Sequence, residues 1–226
     1  MKARLLSVLL ILVTAIVSLS ACNVVKDKTY EATGSEYFEF TQREDGNYKL
    51  SVKADAELPE TVKLPVEFNG KAVVEIVANA FRGNTVIKDV IIPAGYEIIG
   101  AEAFALCTKL SSVTIGQQGT SNVKTTIRRS AFKGCSALTT VTLGECVTVI
   151  DAYAFAETMI TGLNARGLTK VGAYAFSKCA ALKNFYVPAN LDEIDETAFS
   201  GSASVVFTVS SSNGVYTVED GELIKK

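Results

Sequence analysis

The five cysteines of this chain could support metal binding, disulfide formation or nucleophilic attack. Cys107, Cys135 and Cys179 are separated by 28 and 44 residues, and none belongs to a C-x-x-C pair. Because zinc sites usually contain such pairs, we expect no metal. Each of the three follows a phenylalanine by three residues, which favours small apolar side chains buried at equivalent positions. Cys146 falls outside this spacing and has no predicted role.

Four carboxylates stand close together in the segment LDEIDETAF: Asp192, Glu193, Asp195 and Glu196. Such a cluster could form an acid/base pair or bind calcium. Calcium loops, however, combine several oxygen ligands at tight spacing with a glycine turn, and the apolar Ile194 divides this segment. The sequence therefore favours a solvated face.

The segment GQQGTSN contains two glycines, as phosphate-binding loops do, but it lacks the lysine and Ser/Thr that should follow. The segment instead absorbs the five extra residues of the 28-residue repeat. Insertions in repeat proteins form protruding loops, and we expect this loop to be able to touch a partner. The predicted binding loop consists of Gly116, Gln117, Gln118, Gly119, Thr120, Ser121 and Asn122.

Composition excludes much of the usual enzyme repertoire. The chain contains no histidine, which removes His-dependent triads, His metal sites and imidazole proton shuttles. With 48% hydrophobic and 20% charged residues, the chain is expected to fold rather than remain disordered. Its net charge of -2 does not indicate nucleic-acid binding. Ser/Lys, carboxylate-pair and Cys chemistry remain formally open, and a hydrolase using Ser or carboxylates has little support, because the sequence shows no arrangement of such residues. We expect no catalytic residue, no cofactor and no nucleic-acid partner.

The N-terminus has the features of a targeting signal. Lys2 and Arg4 precede an apolar stretch that is shorter than the roughly 20 residues of a membrane-spanning helix. The following Leu-Ser-Ala-Cys resembles the lipobox of bacterial lipoproteins, which implies cleavage before Cys22 and acylation of that residue. Two or more acyl chains hold a protein durably on a membrane. We thus predict a signal peptide over 1–21 and a lipidated tether over 22–35.

A nine-residue sequence motif recurs along the rest of the chain, as in IGAEAFALC and VGAYAFSKC. Its Ala-Phe pair occurs six times, with spacings of 23, 28, 23, 21 and 23 residues, and an apolar residue precedes each Phe by five positions. Such a period is typical of solenoids, in which stacking supplies the core that one unit cannot build alone. The six phenylalanines are Phe81, Phe104, Phe132, Phe155, Phe176 and Phe199.

Each unit has two parts. In the first part, A-F-x-x-C-x-x-L, the Phe, Cys and Leu positions are three residues apart, and this near-helical spacing predicts a short helical turn. L-x-x-V-x-I has a period of two and predicts a strand, and proline often follows it. The 21-residue unit departs from this register at residues 160–168 through two deletions. If Cys107 and Cys135 occupy adjacent turns, a disulfide between them is geometrically feasible, because neighbouring strands lie about 4.8 Å apart; the sequence leaves this open.

The phrase I-x-x-x-A-F-x-x-C-x-x-L-x-x-V-x-I-P resembles the BspA-like leucine-rich repeats of bacterial surface lipoproteins. Asn84, Thr158 and Ser202 replace the Cys in three units. The resemblance implies a right-handed leucine-rich-repeat solenoid, which agrees with the β-rich units, short helical turns and parallel strand ladder on one face predicted above. Alternating segments around Asp45-Gly46, Asn213-Gly214 and Asp220-Gly221 predict small β caps at both ends. We predict an N-terminal β cap over 36–57, the solenoid over 58–204 and a C-terminal β cap over 205–226.

Positions eight and ten after each Phe should point outward from the strand ladder. They form a hydroxyl-rich surface with a single aromatic anchor, suited to a protein or glycan. The predicted binding face consists of Asp89, Ile91, Ser112, Thr114, Thr140, Thr142, Asn184 and Tyr186.

The resemblance implies a non-catalytic binding or adhesion module on the outer face of a bacterial membrane, at the cell surface, that meets the membrane only through its lipid anchor. Its expected partner is an extracellular protein or glycan. The alternative is a structural or accessory envelope lipoprotein that organises other surface proteins.

Overall fold

The computed structural model describes residues 31–117, 122–202 and 205–226. Within these ranges the chain consists of short strands, turns and one 3-10 helix, Ser35–Tyr37. The strands are β1 (Phe38–Gln42), β2 (Tyr48–Val52), β3 (Thr61–Lys63), β4 (Glu67–Phe68), β5 (Lys71–Ile76), β6 (Asp89–Ile92), β7 (Ile98–Ile99), β8 (Ser112–Ile115), β9 (Thr125–Ile127), β10 (Thr140–Leu143), β11 (Val147–Ile150), β12 (Gly162–Leu163), β13 (Lys170–Val171), β14 (Asn184–Val187), β15 (Glu193–Ile194), β16 (Val206–Val209), β17 (Tyr216–Glu219) and β18 (Glu222–Lys225).

The predicted solenoid is confirmed, and its coils carry parallel ladders on two sides. The predicted strands pair in the order β10-β8-β6-β3, and β12-β14-β16 form a separate ladder. A longer sheet, β1-β2-β5-β7-β9-β11-β13-β15, runs along another side of the coils. It aligns the apolar residues that precede each Phe by five positions, such as Ile99 and Ile127. From β7 onward its strands have only two to four residues, which is too short to give a clear period in the sequence.

The predicted short helical turns were wrong. Around Phe104, the backbones of Glu102 and Leu106 have φ values of 55° and 61°, and such left-handed residues interrupt a right-handed helix. The N–H groups of Glu102, Phe104 and Leu106 donate to carbonyls of the next coil, while those of Ala103 and Ala105 donate within their own coil. Because alternate N–H groups bond between coils, the turn segments form a ladder of their own.

A stack of the six repeated phenylalanine rings runs along the core. Successive rings from Phe81 to Phe199 lie face to face, with centroids 4.5 to 5.7 Å apart and planes within 11° of parallel. At the N-terminal end Phe38 packs edge-on against Phe81, and at the C-terminal end Phe207 packs edge-on against Phe199. The rings therefore shelter one another from coil to coil.

The repeated cysteines lie in this core as free thiols. Cys107 donates its thiol hydrogen to the carbonyl of Phe81 in the preceding coil, and Cys135 donates to that of Phe104, with Sγ–O distances of 3.1 and 3.0 Å. Ser202 makes the same bond to Phe176 with its hydroxyl. In these units the position thus holds a small donor whose bond joins two neighbouring coils.

Cys146, unassigned from the sequence, lies half-buried at a corner of the coil. Its Sγ is 3.6 Å from Oγ1 of Thr125 and 3.9 Å from the carbonyl of Gly116. A Cβ on Gly116 would lie 2.2 Å from this sulfur, so the glycine makes room for the thiol.

Both ends are closed by antiparallel hairpins. β1 pairs with β2, and the Arg43 side chain in their connection lies 2.8 Å from Glu97 and 3.8 Å from Glu75, which anchors the hairpin to the solenoid. β17 pairs with β18 around Asp220 and Gly221. The two β caps of the fold prediction are confirmed.

The signal peptide and most of the tether, including Cys22, lie outside the described residues. Among the described residues, no helix has the length and apolar character needed to cross a membrane.

Candidate binding groove

The short fourth repeat interrupts the strand ladder. Full-length repeats give four-residue strands such as β10 and β14, whereas the 21-residue unit gives only Gly162 and Leu163 as β12. β12 pairs with β14, and no described residue of β12 pairs with β10 as a strand. The two missing residues therefore leave a gap between two ladders.

A cavity of about 510 Å³ occupies this gap and is named here the strand-face cavity. Thr142 of β10 lies on one side of it, and Asn184 and Tyr186 of β14 lie on the other. Gly162 has no side chain to fill the floor, and a Cβ at this position would meet its nearest neighbour only at 3.5 Å. The cavity is lined by Val141, Thr142, Gly162, Leu163, Asn164, Asn184, Phe185, Tyr186 and Thr208.

The gap continues around the corner of the coil through two more cavities. The corner cavity, about 440 Å³, shares Thr142 and Asn164 with the strand-face cavity. The side cavity, about 760 Å³, shares Glu145 and Arg166 with the corner cavity. The three together are called the groove. The corner cavity is lined by Gly116, Gln117, Thr142, Leu143, Gly144, Glu145, Asn164 and Arg166, and the side cavity by Asn122, Val123, Lys124, Glu145, Cys146, Thr148, Arg166, Gly167, Thr169 and Asn190.

Closely packed backbone fixes the corner of the groove. A Cβ on Gly167 would lie 1.9 Å from the carbonyl oxygen of Glu145, and one on Gly144 would lie 2.2 Å from that of Gly116. Only glycine permits such approach, so neighbouring coils meet here without intervening side chains. The groove is consequently shallow, and its polar side chains stand around a backbone floor.

Two exposed cations line the groove, Lys124 and Arg166, together with one exposed carboxylate, Glu145. None of the three forms an ion pair with another described residue. Elsewhere on the described surface some basic side chains are paired, as in Lys170 with Glu193 at 2.5 Å and Lys88 with Glu60 at 2.7 Å, whereas others, such as Lys109 and Lys183, form no ion pair with a described residue. The groove therefore offers cationic groups whose charge is not neutralised by a partner.

The structure divides the predicted binding face into two parts. Asp89, Ser112 and Thr140 lie in one register row, and Ile91, Thr114 and Thr142 lie in the next. Asn184 and Tyr186 belong to the other ladder, across the gap. Thr140, Thr142 and Asn184 are exposed, whereas the others, Asp89, Ile91, Ser112, Thr114 and Tyr186, are half-buried.

The predicted binding loop borders the groove where it is described. Gly116 and Gln117 line the corner cavity, and Asn122 lines the side cavity. Gln118, Gly119, Thr120 and Ser121 lie outside the described residues.

Two of the four carboxylates in the segment 192–196 have partners of their own. Glu193 pairs with Lys170, and Asp195 accepts hydrogen bonds from the backbone N–H and the hydroxyl of Thr197. Those bonds lower the pKa of Asp195 below its ordinary value. In the part of the chain that is described, no three His, Cys, Asp or Glu side chains form a metal-binding group.

Sequence reasoning missed Asn164, Arg166, Lys124 and Thr208 as lining residues. The signal that could have found them is the 21-residue spacing, because a unit two residues short cannot complete its strand. A second missed surface feature lies on the turn side, where Tyr153 and Tyr174 stack with centroids 5.0 Å apart. Arg129 lies 5.5 Å above the Tyr153 ring, within the range of a cation–π contact.

Solved structures with the same repeats resemble this chain. A leucine-rich repeat protein from Bacteroides ovatus ATCC 8483 is 26% identical, with a TM-score of 0.62 over 75% of this chain and 45% of that protein. A leucine rich cell surface protein from Faecalibacterium prausnitzii A2-165 is 24% identical, with a TM-score of 0.60 over 88% of this chain and 59% of that protein. A T. pallidum leucine-rich repeat protein is 23% identical, with a TM-score of 0.54 over 78% of this chain and 70% of that protein.

The chain therefore spans less than two thirds of the B. ovatus and F. prausnitzii proteins. No curated protein matches its sequence significantly. The model of the BspA type leucine rich repeat region matches residues 74–206 in six copies. Since this match covers more than half of the 226 residues, the chain belongs to the BspA-type leucine-rich repeat family.

Proposed function

We propose that this protein is a lipid-anchored cell-envelope protein whose solenoid is a non-catalytic binding or adhesion module for an extracellular protein or glycan. The observation that carries the proposal is the strand-face cavity, which joins Thr142, Asn184 and Tyr186 at an interruption of an otherwise regular surface. A regular solenoid presents repeated rows of side chains, whereas this gap forms a concave site with hydroxyl, amide and aromatic groups. Ligand sites are typically concave with a few polar groups that fix orientation.

Binding is tested with the full-length chain, purified in neutral detergent, against matrix proteins and glycans. Gly162→Val places a side chain on the floor of the cavity without removing any contact, and Tyr186→Ala removes the aromatic group. Both variants should lose binding at least tenfold while thermal unfolding shows that they remain folded. Thr108→Ala, at an exposed threonine outside both the predicted binding face and the cavity, is the matched control. Equal binding by all three variants would refute this site.

The lipid anchor is tested separately. Cys22→Ser should abolish incorporation of a labelled fatty acid and release the protein from membranes, because acyl chains supply durable attachment. Protease treatment of intact cells distinguishes an outward-facing module from an accessory protein turned toward other envelope components. Protection from protease until the envelope is opened would favour the accessory role.

A further inference from the structure

We propose that the groove binds an acidic polysaccharide, with Arg166 and Lys124 pairing with the carboxylate or sulfate groups of the sugar chain. This inference rests on the proposed binding function and names the chemical class of its ligand. Three observations support it: the charge of the groove, the chemistry of its lining and its shape.

The charge of the groove is opposite to that of the whole chain. The chain has a net charge of -2, yet the groove carries two cations and one anion without ion-pair partners among the described residues. Arginine presents a planar fork that matches a carboxylate or sulfate with two parallel hydrogen bonds. An anionic ligand would therefore neutralise charges that the protein itself leaves unpaired.

The lining of the groove is suited to sugars rather than to peptide side chains. Protein and peptide partners are usually held by large apolar or aromatic anchors in desolvated pockets. The exposed large apolar residues among the described part of the chain are Val86, Leu106, Met159, Val206, Val218 and Ile224, and none of them lines the groove. Of the apolar and aromatic residues in the strand-face cavity, Leu163 and Phe185 are buried and Val141 and Tyr186 are half-buried. Hydroxyl and amide groups such as Thr142, Asn164 and Asn184 offer the donors and acceptors that sugar hydroxyls require.

The shape of the groove favours a chain over a compact molecule. Three cavities connect through shared residues, first at Thr142 and Asn164 and then at Glu145 and Arg166. A linear polymer can lie along all three, with one sugar ring against Tyr186 and its acidic groups near the two cations. Tyr186 and Arg166 then act on different residues of the same polymer.

The experiment measures the affinity of the full-length chain, in neutral detergent, for three probes: an oligogalacturonate, a heparin oligosaccharide and a neutral galacto-oligosaccharide. We expect the acidic probes to bind and the neutral one to bind at least tenfold more weakly. Arg166→Gln should weaken acidic-probe binding by about tenfold, the effect of losing one charge-assisted contact. Raising the salt concentration should weaken it further. Lys109→Gln, an exposed lysine outside the groove, is the matched control and should change nothing.

The two acidic probes separate carboxylate from sulfate recognition. Binding of the neutral probe with equal affinity and no effect of Arg166→Gln would overturn the acidic ligand while preserving the proposed binding function. The same holds if a poly-glutamate peptide binds more tightly than either acidic sugar, which would identify an acidic protein segment as the ligand. If no glycan and no protein binds, the proposed function itself fails.

Discussion

The ring of Phe104 lies parallel to that of Phe132 in the next coil, with centroids 5.1 Å apart and planes inclined by 3°. Both rings are completely buried, and each forms part of the wall that shelters the other. Stability in such an array is a sum of coil stabilities and interfaces between neighbours. A change to one ring is therefore transmitted to the coils on both sides.

Phe132→Ala, in the middle of the stack, should lower the free energy of unfolding by about 3–5 kcal/mol, because it leaves a cavity between two coils. Phe199→Ala, at the half-buried end, should cost less, since that ring has a neighbouring phenylalanine of the stack on only one side. Urea unfolding of the two variants measures the difference. Equal losses would contradict the view that a ring inside the stack depends on two stacked neighbours and the end ring on one.

The stack of phenylalanine rings is a feature of the fold that could be predicted from the sequence. The period, the buried phenylalanines and the strand after each of them follow from spacing alone, since Phe and the apolar positions repeat in register. The path of the turn could not be predicted in the same way. The residue two positions before the Phe has a positive φ in several units, including Glu102, Ser130, Tyr153 and Tyr174. None of these four is a glycine, the residue type from which a positive φ would be predicted. Hydrogen bonds between coils impose this conformation, and they are not visible in one repeat.

The candidate site was predicted only in part for a related reason. Outward positions such as Thr142 and Tyr186 follow from the two-residue period of the strands. The groove itself arises from the two-residue deletion in residues 160–168. No residue type in the sequence indicates what such a deletion does to the surface. Arg166 and Lys124 are far apart in the sequence and line the same groove only because their coils stack on one another.

Left-handed residues give a second prediction. Lys178 has a φ of 56°, where a side chain costs about 1–2 kcal/mol and glycine costs little. Lys178→Gly should therefore leave stability unchanged or raise it by up to about 1 kcal/mol. Lys183→Gly, at an exposed lysine without this conformation, should instead lower stability by up to about 1 kcal/mol. Chemical unfolding of the two variants measures the contrast, and a larger loss in Lys178→Gly would show that its φ is not a source of strain.

The third prediction concerns the buried thiols, because their ionisation should lower the free energy of unfolding at alkaline pH. Burial raises the pKa of Cys179 in the folded chain, despite an opposing hydrogen bond with Thr158. The hydrogen bond between Cys107 and Cys135 raises the pKa of Cys135 and lowers that of Cys107, so the prediction rests on Cys179. An unfolded cysteine ionises near pH 8.5, so the unfolded chain loses the Cys179 proton first. The stability that the protonated Cys179 thiol contributes is complete below that pH and is lost as the pH rises above it.

Unfolding free energies between pH 7 and 10 measure this effect. Cys179→Ser removes one ionisable thiol while a hydroxyl can still donate to the carbonyl of Phe155, as Ser202 does to Phe176. The variant should show a shallower decline of stability above pH 8.5 than the parent chain. Identical slopes would mean that Cys179 ionises as readily in the folded chain as in the unfolded one.

Asn213 supports the last prediction, because it joins the C-terminal cap to the solenoid. Its side chain is buried, and its Nδ2 donates to the carbonyls of Pro188 and Leu191 at 2.7 and 2.9 Å. Its Oδ1 accepts from the N–H groups of Val215 and Tyr216, each at 2.8 Å. Every polar atom of the amide is therefore used, and an aspartate of the same shape would direct an oxygen at two carbonyls.

Asn213→Asp should lower the free energy of unfolding by at least about 2 kcal/mol near pH 7, since each buried group left unsatisfied costs about 1–3 kcal/mol. The carbonyls disfavour the carboxylate, so the introduced group should bind its proton more tightly when folded. The deficit relative to the parent chain should then shrink as the pH falls through the raised pKa of the folded carboxyl, and it should level off below about 4, where the unfolded carboxyl is protonated as well. Asn190→Asp, at an exposed position, should show neither effect. A deficit that stayed constant with pH would place the loss in the two missing donors alone and exclude a role for the buried charge.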